Sequence, residues 1–116
     1  MNWIQLNTEA QLAEINKGST ASPVFIFKHS TRCSISSMAL NRLEKTELDK
    51  EAKFYYLDLL KHRNISDKIA DDYQVHHESP QVLLIINGAC VYEETHNGIN
   101  AAEIKEQIVE WKSKLN

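Results

Sequence analysis

Cysteine, proline and glycine are scarce in this sequence, with two, two and three residues among 116. The two cysteines, Cys33 and Cys90, are far apart and form no Cys-x-x-Cys motif. No set of cysteines and histidines has the spacing of zinc ligands, so the sequence argues against a metal site and against a disulfide framework. A chain of this length can bury a real hydrophobic core without such cross-links.

The sequence also lacks long apolar runs and a charge excess of one sign. No run approaches the roughly 20 residues of a membrane span, and residues 1–5 lack the basic and apolar regions of a signal peptide. The net charge of -3 gives no general attraction to nucleic acid or to an anionic membrane. We therefore expect a cytoplasmic protein with no nucleic-acid or membrane partner, in which both cysteines rest as thiols.

Apolar runs of strand length alternate with segments of helical spacing along the first two thirds of the chain. Val24–Phe27 and Phe54–Leu59 read as buried strands, and the first is followed by a helix expected to run to about Asp49. Asn64 or Ser66 is expected to cap the next helix. Such alternation predicts parallel strands with right-handed crossovers, in a single domain over residues 1–116.

The last third of the chain predicts a hairpin and a closing helix. Asn87-Gly88 separates the apolar run Val82–Ile86 from a second run that starts at Ala89, and Asn-Gly between two strands is a strong signal for an antiparallel hairpin. Asn100 is expected to cap the final helix. The predicted fold is therefore α/β, with a mixed central sheet of parallel strands plus a C-terminal antiparallel hairpin, flanked by helices.

Cys33 stands where the run Val24–Phe27 and a short polar loop give way to helical spacing. The free N–H groups of a helix start, and their partial positive charge, stabilise a thiolate over a thiol. Arg32 is adjacent, and Lys28 and His29 precede it, so positive charge is expected on the loop before the cysteine. Since a thiolate is a strong nucleophile, Cys33 is the predicted catalytic residue.

These features together resemble the thioredoxin fold, in which a cysteine follows the first buried strand and a cis-proline loop abuts its sulfur. Ser79-Pro80 occupies the place of that loop, so the resemblance implies a cis bond there. Thioredoxins have a second cysteine where this chain has Ser36, and a buried acid where it has Phe27. The resemblance thus implies a monothiol protein without the usual proton acceptor.

Within that fold, Thr31-Arg32-Cys33-Ser34-Ile35-Ser36 together with residues 77–81 resembles the monothiol bacilliredoxins of the YtxJ type. Ser34 departs from their Cys-Pro-Ile-Ser motif. The resemblance implies removal of bacillithiol from protein mixed disulfides, with bacillithiol or another low-molecular-weight thiol as co-substrate, S-thiolated cytosolic proteins as partners and no tightly bound cofactor. The implied residues that bind the thiol and substrate are Thr31, Arg32, Ser34, Ser36, Ser79 and Pro80.

Several alternatives remain open from the sequence. Cys90 is expected to pack as a small hydrophobe. The side chains of His76 and His77 should point to opposite faces, with one of them approaching the sulfur through the Pro80 loop. Ser36 is expected on the helix surface, although its hydroxyl could donate to a thiolate three residues before it. The chain could also be a glutaredoxin-like protein that uses glutathione or another small thiol, or a binding module without catalysis.

Overall fold

The protein is built on one five-stranded sheet in the computed structural model, which describes residues 3–45 and 52–115. The strands run in the order β1-β3-β2-β4-β5 across the sheet. The elements in chain order are β1 (Trp3–Gln5), α1 (Ala10–Gly18), β2 (Val24–His29), α2 (Ser34–Glu44), β3 (Lys53–Asp58), α3 (Arg63–Tyr73), β4 (Gln81–Ile86), β5 (Ala89–Thr95), a 3-10 turn (His96–Gly98) and α4 (Ala101–Leu115).

The strand directions confirm the predicted mixed sheet. β1, β3 and β2 are mutually parallel, whereas β4 runs antiparallel to β2 and to β5. Asn87 and Gly88 join β4 to β5 with φ values of 51° and 75°, the positive angles that this type of hairpin turn requires. The predicted hairpin is therefore confirmed.

Helices cover both faces of the sheet. The central strands β2 and β4 are buried along their whole length and place apolar side chains on each face. Val24 and Ile26 contribute to the α1/α3 core, the cluster packed between the sheet and helices α1 and α3. Phe25 and Phe27 contribute to the α2/α4 core on the other face. Full burial of a side chain of this size stabilises the fold by about 1.5 to 3 kcal/mol.

Three helix ends were predicted from the sequence. The helix after Cys33 ends at Glu44 in the described part, and its expected continuation to Asp49 falls on residues 46–51, outside the described residues. The predicted caps Asn64 and Ser66 are wrong, since α3 begins at Arg63 and His62 occupies the N-cap position. At the final helix, the Asn100 side-chain oxygen accepts from the Glu103 N–H at 2.8 Å, as predicted for a cap.

Candidate functional site

Cys33 occupies the N-cap position of α2, at the turn that follows β2. Its backbone is extended, with φ of -103° and ψ of 121°, and its side chain is partly exposed. The Cys33 N–H donates to the Ser30 carbonyl at 3.1 Å, and the Cys33 carbonyl accepts the N–H of Ser37 at 3.1 Å. The N–H groups of the first helical turn therefore have no partner inside the helix and lie beside the thiol.

The residues around Cys33 give this helix start an unopposed positive character. Thr31, Arg32 and Ser34 are all exposed. The first turn of α2 contains no acidic residue, and none of the acidic residues that the structure describes forms an ion pair with Arg32. An exposed guanidinium and free N–H groups both favour an anion at this position.

Pro80 lies at the same end of the sheet as Cys33. Gln81 pairs with Lys28 near the C-terminal end of β2, so the Ser79-Pro80 bond faces the strand end from which the Cys33 turn departs. That bond is cis, as the resemblance implied. The Ser79 hydroxyl oxygen is buried and has no hydrogen-bond partner within the part of the chain that the structure describes.

Ser36 does not lie on the helix surface, so that expectation is wrong. Its side chain is 0 % exposed. The Ser36 hydroxyl lies 2.8 Å from His29 Nδ1 and accepts the backbone N–H of Ser30 at 3.0 Å. A hydroxyl therefore fills the buried position one turn after Cys33 and ties α2 to the end of β2.

The expected concentration of positive charge before Cys33 is also wrong for two of its three residues. β2 extends through His29, and both Lys28 and His29 are buried. Because side chains alternate along a strand, they lie on opposite faces of the sheet. Of the three basic side chains expected there, only that of Arg32 is exposed.

His29 belongs to the α2/α4 side. Its ring stacks on Phe27 at 5.9 Å between centroids and contacts Tyr56 at 5.5 Å. Burial lowers the pKa of His29, and the charges of Asp58 and Glu44 oppose that shift. The ring is therefore a neutral imidazole at pH 7.

Lys28 belongs to the α1/α3 side, where its ammonium is 0 % exposed. Its Nζ donates to the Ser66 carbonyl and lies 3.4 Å from His77 Nδ1, which is also 3.1 Å from the Ser66 hydroxyl. Burial lowers the pKa of Lys28 to about 8, with Asp67 opposing the shift. Sequence reasoning missed this contact set, because its members are far apart in the chain.

The adjacent histidines point in different directions, as predicted. His76 is exposed and lies 3.7 Å from a Glu78 oxygen, whereas His77 contacts α3 and Lys28. Burial and the Lys28 charge lower the pKa of His77. His77 therefore joins the face opposite α2, whereas the approach of one of the pair to Cys33 stays a prediction. No group of three potential metal ligands was found among residues 3–45 and 52–115.

Cys90 packs against the α1/α3 core, as expected of a small hydrophobe. Its Sγ lies 3.4 Å from the Tyr92 carbonyl, and burial raises the pKa of the thiol. Cys90 is therefore a poor nucleophile in the folded protein.

The sheet order, the cis-proline and the cysteine at a helix start define a thioredoxin-fold protein. A thioredoxin from Malassezia sympodialis superposes with a TM-score of 0.70 at 18% identity, covering 94% of this chain and 90% of that one. A Fasciola hepatica thioredoxin gives a TM-score of 0.68 at 20% identity, covering 91% and 96%. At these identities the likeness establishes the fold.

More specific matches place the chain within this class. A candidate oxidoreductase with a thioredoxin fold is 32% identical, with a TM-score of 0.78, and the match covers 89% of this chain and 90% of that one. The model of the monothiol bacilliredoxin BrxC family matches residues 4–104. The chain belongs to the monothiol bacilliredoxin family, and its function is thiol redox chemistry. None of its described helices is both long and apolar enough to cross a bilayer.

Proposed function

We propose that this protein removes bacillithiol from protein mixed disulfides by thiol-disulfide exchange at Cys33. The observation that carries the proposal is the N-cap position of a partly exposed Cys33, with a serine hydroxyl one helical turn later. A thiolate is the form of cysteine that attacks a disulfide, and a hydroxyl cannot resolve the resulting adduct. The protein needs a second thiol from outside.

The cycle has two exchanges. In the first, the Cys33 thiolate attacks the bacillithiol sulfur of a protein-bacillithiol disulfide, so that a Cys33-bacillithiol disulfide forms and the protein leaves as a thiolate. In the second, a small thiol loses its proton and attacks the bacillithiol sulfur. Cys33 leaves as a thiolate, and the small thiol departs joined to bacillithiol as a disulfide. One disulfide is broken and one is made at each step.

Arg32 and the α2 N-terminus supply the positive character that the malate carboxylates of bacillithiol need. Thr31, Ser34 and Ser79 offer hydroxyl groups around the same turn, and the Ser79 hydroxyl is buried without a described partner. We infer that these groups hold the small thiol. The protein partners are S-thiolated cytosolic proteins, and the whole chain acts as a single domain in the cytoplasm.

The test presents one model protein that carries either bacillithiol or glutathione as a mixed disulfide. Release of each thiol is measured with the unmutated protein, with Cys33→Ser and with Cys90→Ser as the matched control. We expect faster release of bacillithiol, no release by Cys33→Ser and unchanged release by Cys90→Ser. Equal or faster release of glutathione assigns the protein to glutathione instead, and no release of either thiol leaves a binding module.

A further inference from the structure

Lys28 carries a buried charge that the exchange at Cys33 does not use. Its ammonium is 0 % exposed. Within the described residues its N–H groups meet two acceptors, the Ser66 carbonyl and His77 Nδ1, each at 3.4 Å. A buried charge with so few partners is costly, and packing alone would favour an apolar side chain of similar length. The cost of this charge indicates a role other than packing.

His77 contacts Lys28 from the segment that leads from α3 to β4. An ammonium only donates, so His77 Nδ1 accepts, and the proton of the neutral imidazole is on Nε2. The Ser66 hydroxyl lies 3.1 Å from the same nitrogen and also donates to it. Burial and the Lys28 charge lower the pKa of His77, which keeps the ring in this accepting form. One nitrogen thus joins the segment to β2 and to α3.

Two further contacts hold the Pro80 loop, residues 76–80, to β4 and to the turn after β5. The Gln81 side-chain amide donates to the His76 carbonyl at 3.0 Å. The His96 N–H donates to the Pro80 carbonyl at 3.1 Å. The buried ammonium adds the attachment to β2, on the face of the sheet that α3 covers. The loop is therefore held from several elements, and one of these attachments depends on a charge.

We propose that Lys28 is a positioning residue for the exchange, which holds the Pro80 loop through His77 in the position that binds the mixed disulfide. This inference rests on the proposed function, in which the Ser79 hydroxyl of this loop contributes to that binding. Without the ammonium, His77 Nδ1 loses one of its two hydrogen bonds, and the loop occupies its binding position for a smaller fraction of the time. The apparent affinity for the substrate falls by that fraction.

Binding and chemistry should separate at Lys28, because its side chain and α2 lie on opposite faces of the sheet. Lys28 contacts α3, whereas Cys33 is the N-cap residue of α2. The backbone hydrogen bonds of the Cys33 turn are made with Ser30 and Ser37, which belong to the α2 side. Loss of the ammonium should therefore weaken substrate binding and leave the attack by Cys33 intact.

Three substitutions remove or keep this contact. Lys28→Met removes the charge and keeps the approximate length of the side chain. His77→Leu removes the acceptor while Lys28 stays in place, which keeps the test valid if Lys28→Met does not fold. His77→Asn keeps an oxygen acceptor near the position of Nδ1 and is the conservative rescue. His76→Leu, the same change at the exposed neighbouring histidine, is the matched control.

The first measurement needs no substrate. NMR order parameters of the Glu78 and Ser79 amides should fall from a rigid value of about 0.85 to below about 0.6 in Lys28→Met and His77→Leu. His77→Asn and His76→Leu should keep the rigid value. Unchanged order parameters in both Lys28→Met and His77→Leu would overturn the inference.

The second measurement is turnover of the model-protein mixed disulfide, with bacillithiol or glutathione as the small thiol that the unmutated protein releases. In Lys28→Met and His77→Leu, KM should rise roughly tenfold for one lost hydrogen bond from a charged group, and kcat should change less than about twofold. His77→Asn should restore KM. An unchanged KM, or a loss in kcat as large as the rise in KM, would contradict a positioning role. If neither thiol is released, the proposed function fails by itself, and the order parameters alone decide whether Lys28 holds the loop.

Discussion

Cys33 and Cys90 lie toward opposite ends of the sheet. Cys90 pairs with Ile85, which pairs with Val24 at the start of β2, whereas Cys33 follows the end of β2 at His29. The length of β2 separates these ends by ~17 Å, at about 3.3 Å per residue. A disulfide tolerates Cα atoms no more than about 7 Å apart.

The folded protein therefore makes no internal disulfide between its two cysteines. Under oxidation by a small disulfide, intact-mass measurement should find one small-thiol adduct at Cys33 and no loss of two hydrogens. Cys90→Ser should likewise gain one small-thiol adduct. A Cys33-Cys90 disulfide that forms at the rate of the exchange would contradict both the sheet geometry and the one-cysteine cycle.

Ser36→Cys should change the outcome of that oxidation. A sulfur at position 36 lies on the first turn of α2, three residues after Cys33, where bridging geometry is within reach. His29 Nδ1, at 2.8 Å from the present hydroxyl, can accept the new thiol's proton. We expect most of the Cys33 adduct to convert to an internal disulfide with release of the small thiol, seen by mass spectrometry. Ser37→Cys, one position further along, is the matched control and should retain the adduct.

Because of Lys28, the free energy of unfolding should depend on pH in the alkaline range. Burial lowers its pKa to about 8 in the folded protein, against 10.5 for the free side chain. Between these values the unfolded chain binds the proton and the folded chain does not, so the free energy of unfolding rises with pH. Relative to Lys28→Met, we expect the free energy of unfolding of the unmutated protein to rise by up to about 3 kcal/mol across this pH window.

Chemical denaturation of the unmutated protein and of Lys28→Met from pH 7 to 10.5 measures this gain. In the difference between their free energies of unfolding, the contributions of all other titrating groups cancel. Lys53→Met, at an exposed position of β3, is the matched control. Parallel curves for Lys28→Met and the unmutated protein would show that Lys28 stays charged when folded.

Arg32→Gln should slow release of bacillithiol without abolishing it. Arg32 is exposed, so its attraction for a carboxylate is worth about 0.5 to 1 kcal/mol, or roughly two- to fivefold in rate. Salt should reduce the unmutated rate toward that of the variant, since the Debye length is ~10 Å at 0.1 M. Arg63→Gln, at the start of α3, is the control. If Arg32→Gln lowered the release rate by the same factor at every salt concentration, Arg32 would act through packing and not through its charge.

The fold could be predicted closely because its signals are local. Unbroken apolar runs predicted β2 and β4, and Asn87-Gly88 predicted the hairpin. The position of Cys33 followed from the change of pattern between one strand and one helix. Each of these depends on residues within about ten positions of each other.

The polar interior of the site could not be predicted in the same way. Lys28 finds its partners at Ser66 and His77, 38 and 49 residues away, and no local pattern marks them. Ser36 reads as a helix-surface residue until His29 is known to lie beneath it. One signal was present: strand alternation, extended through Lys28 and His29, would have placed them on opposite faces.

The central position of β2 has a consequence for local unfolding. β2 is hydrogen-bonded to β3 on one side and β4 on the other, while β1 and β5 are the edges of the sheet. Edge strands open at lower free energy than central strands. Amide hydrogens of β1 and β5 should exchange with solvent while those of β2 stay protected. Transient fraying of the edges therefore leaves the Cys33 turn anchored, and the site persists until the whole domain unfolds.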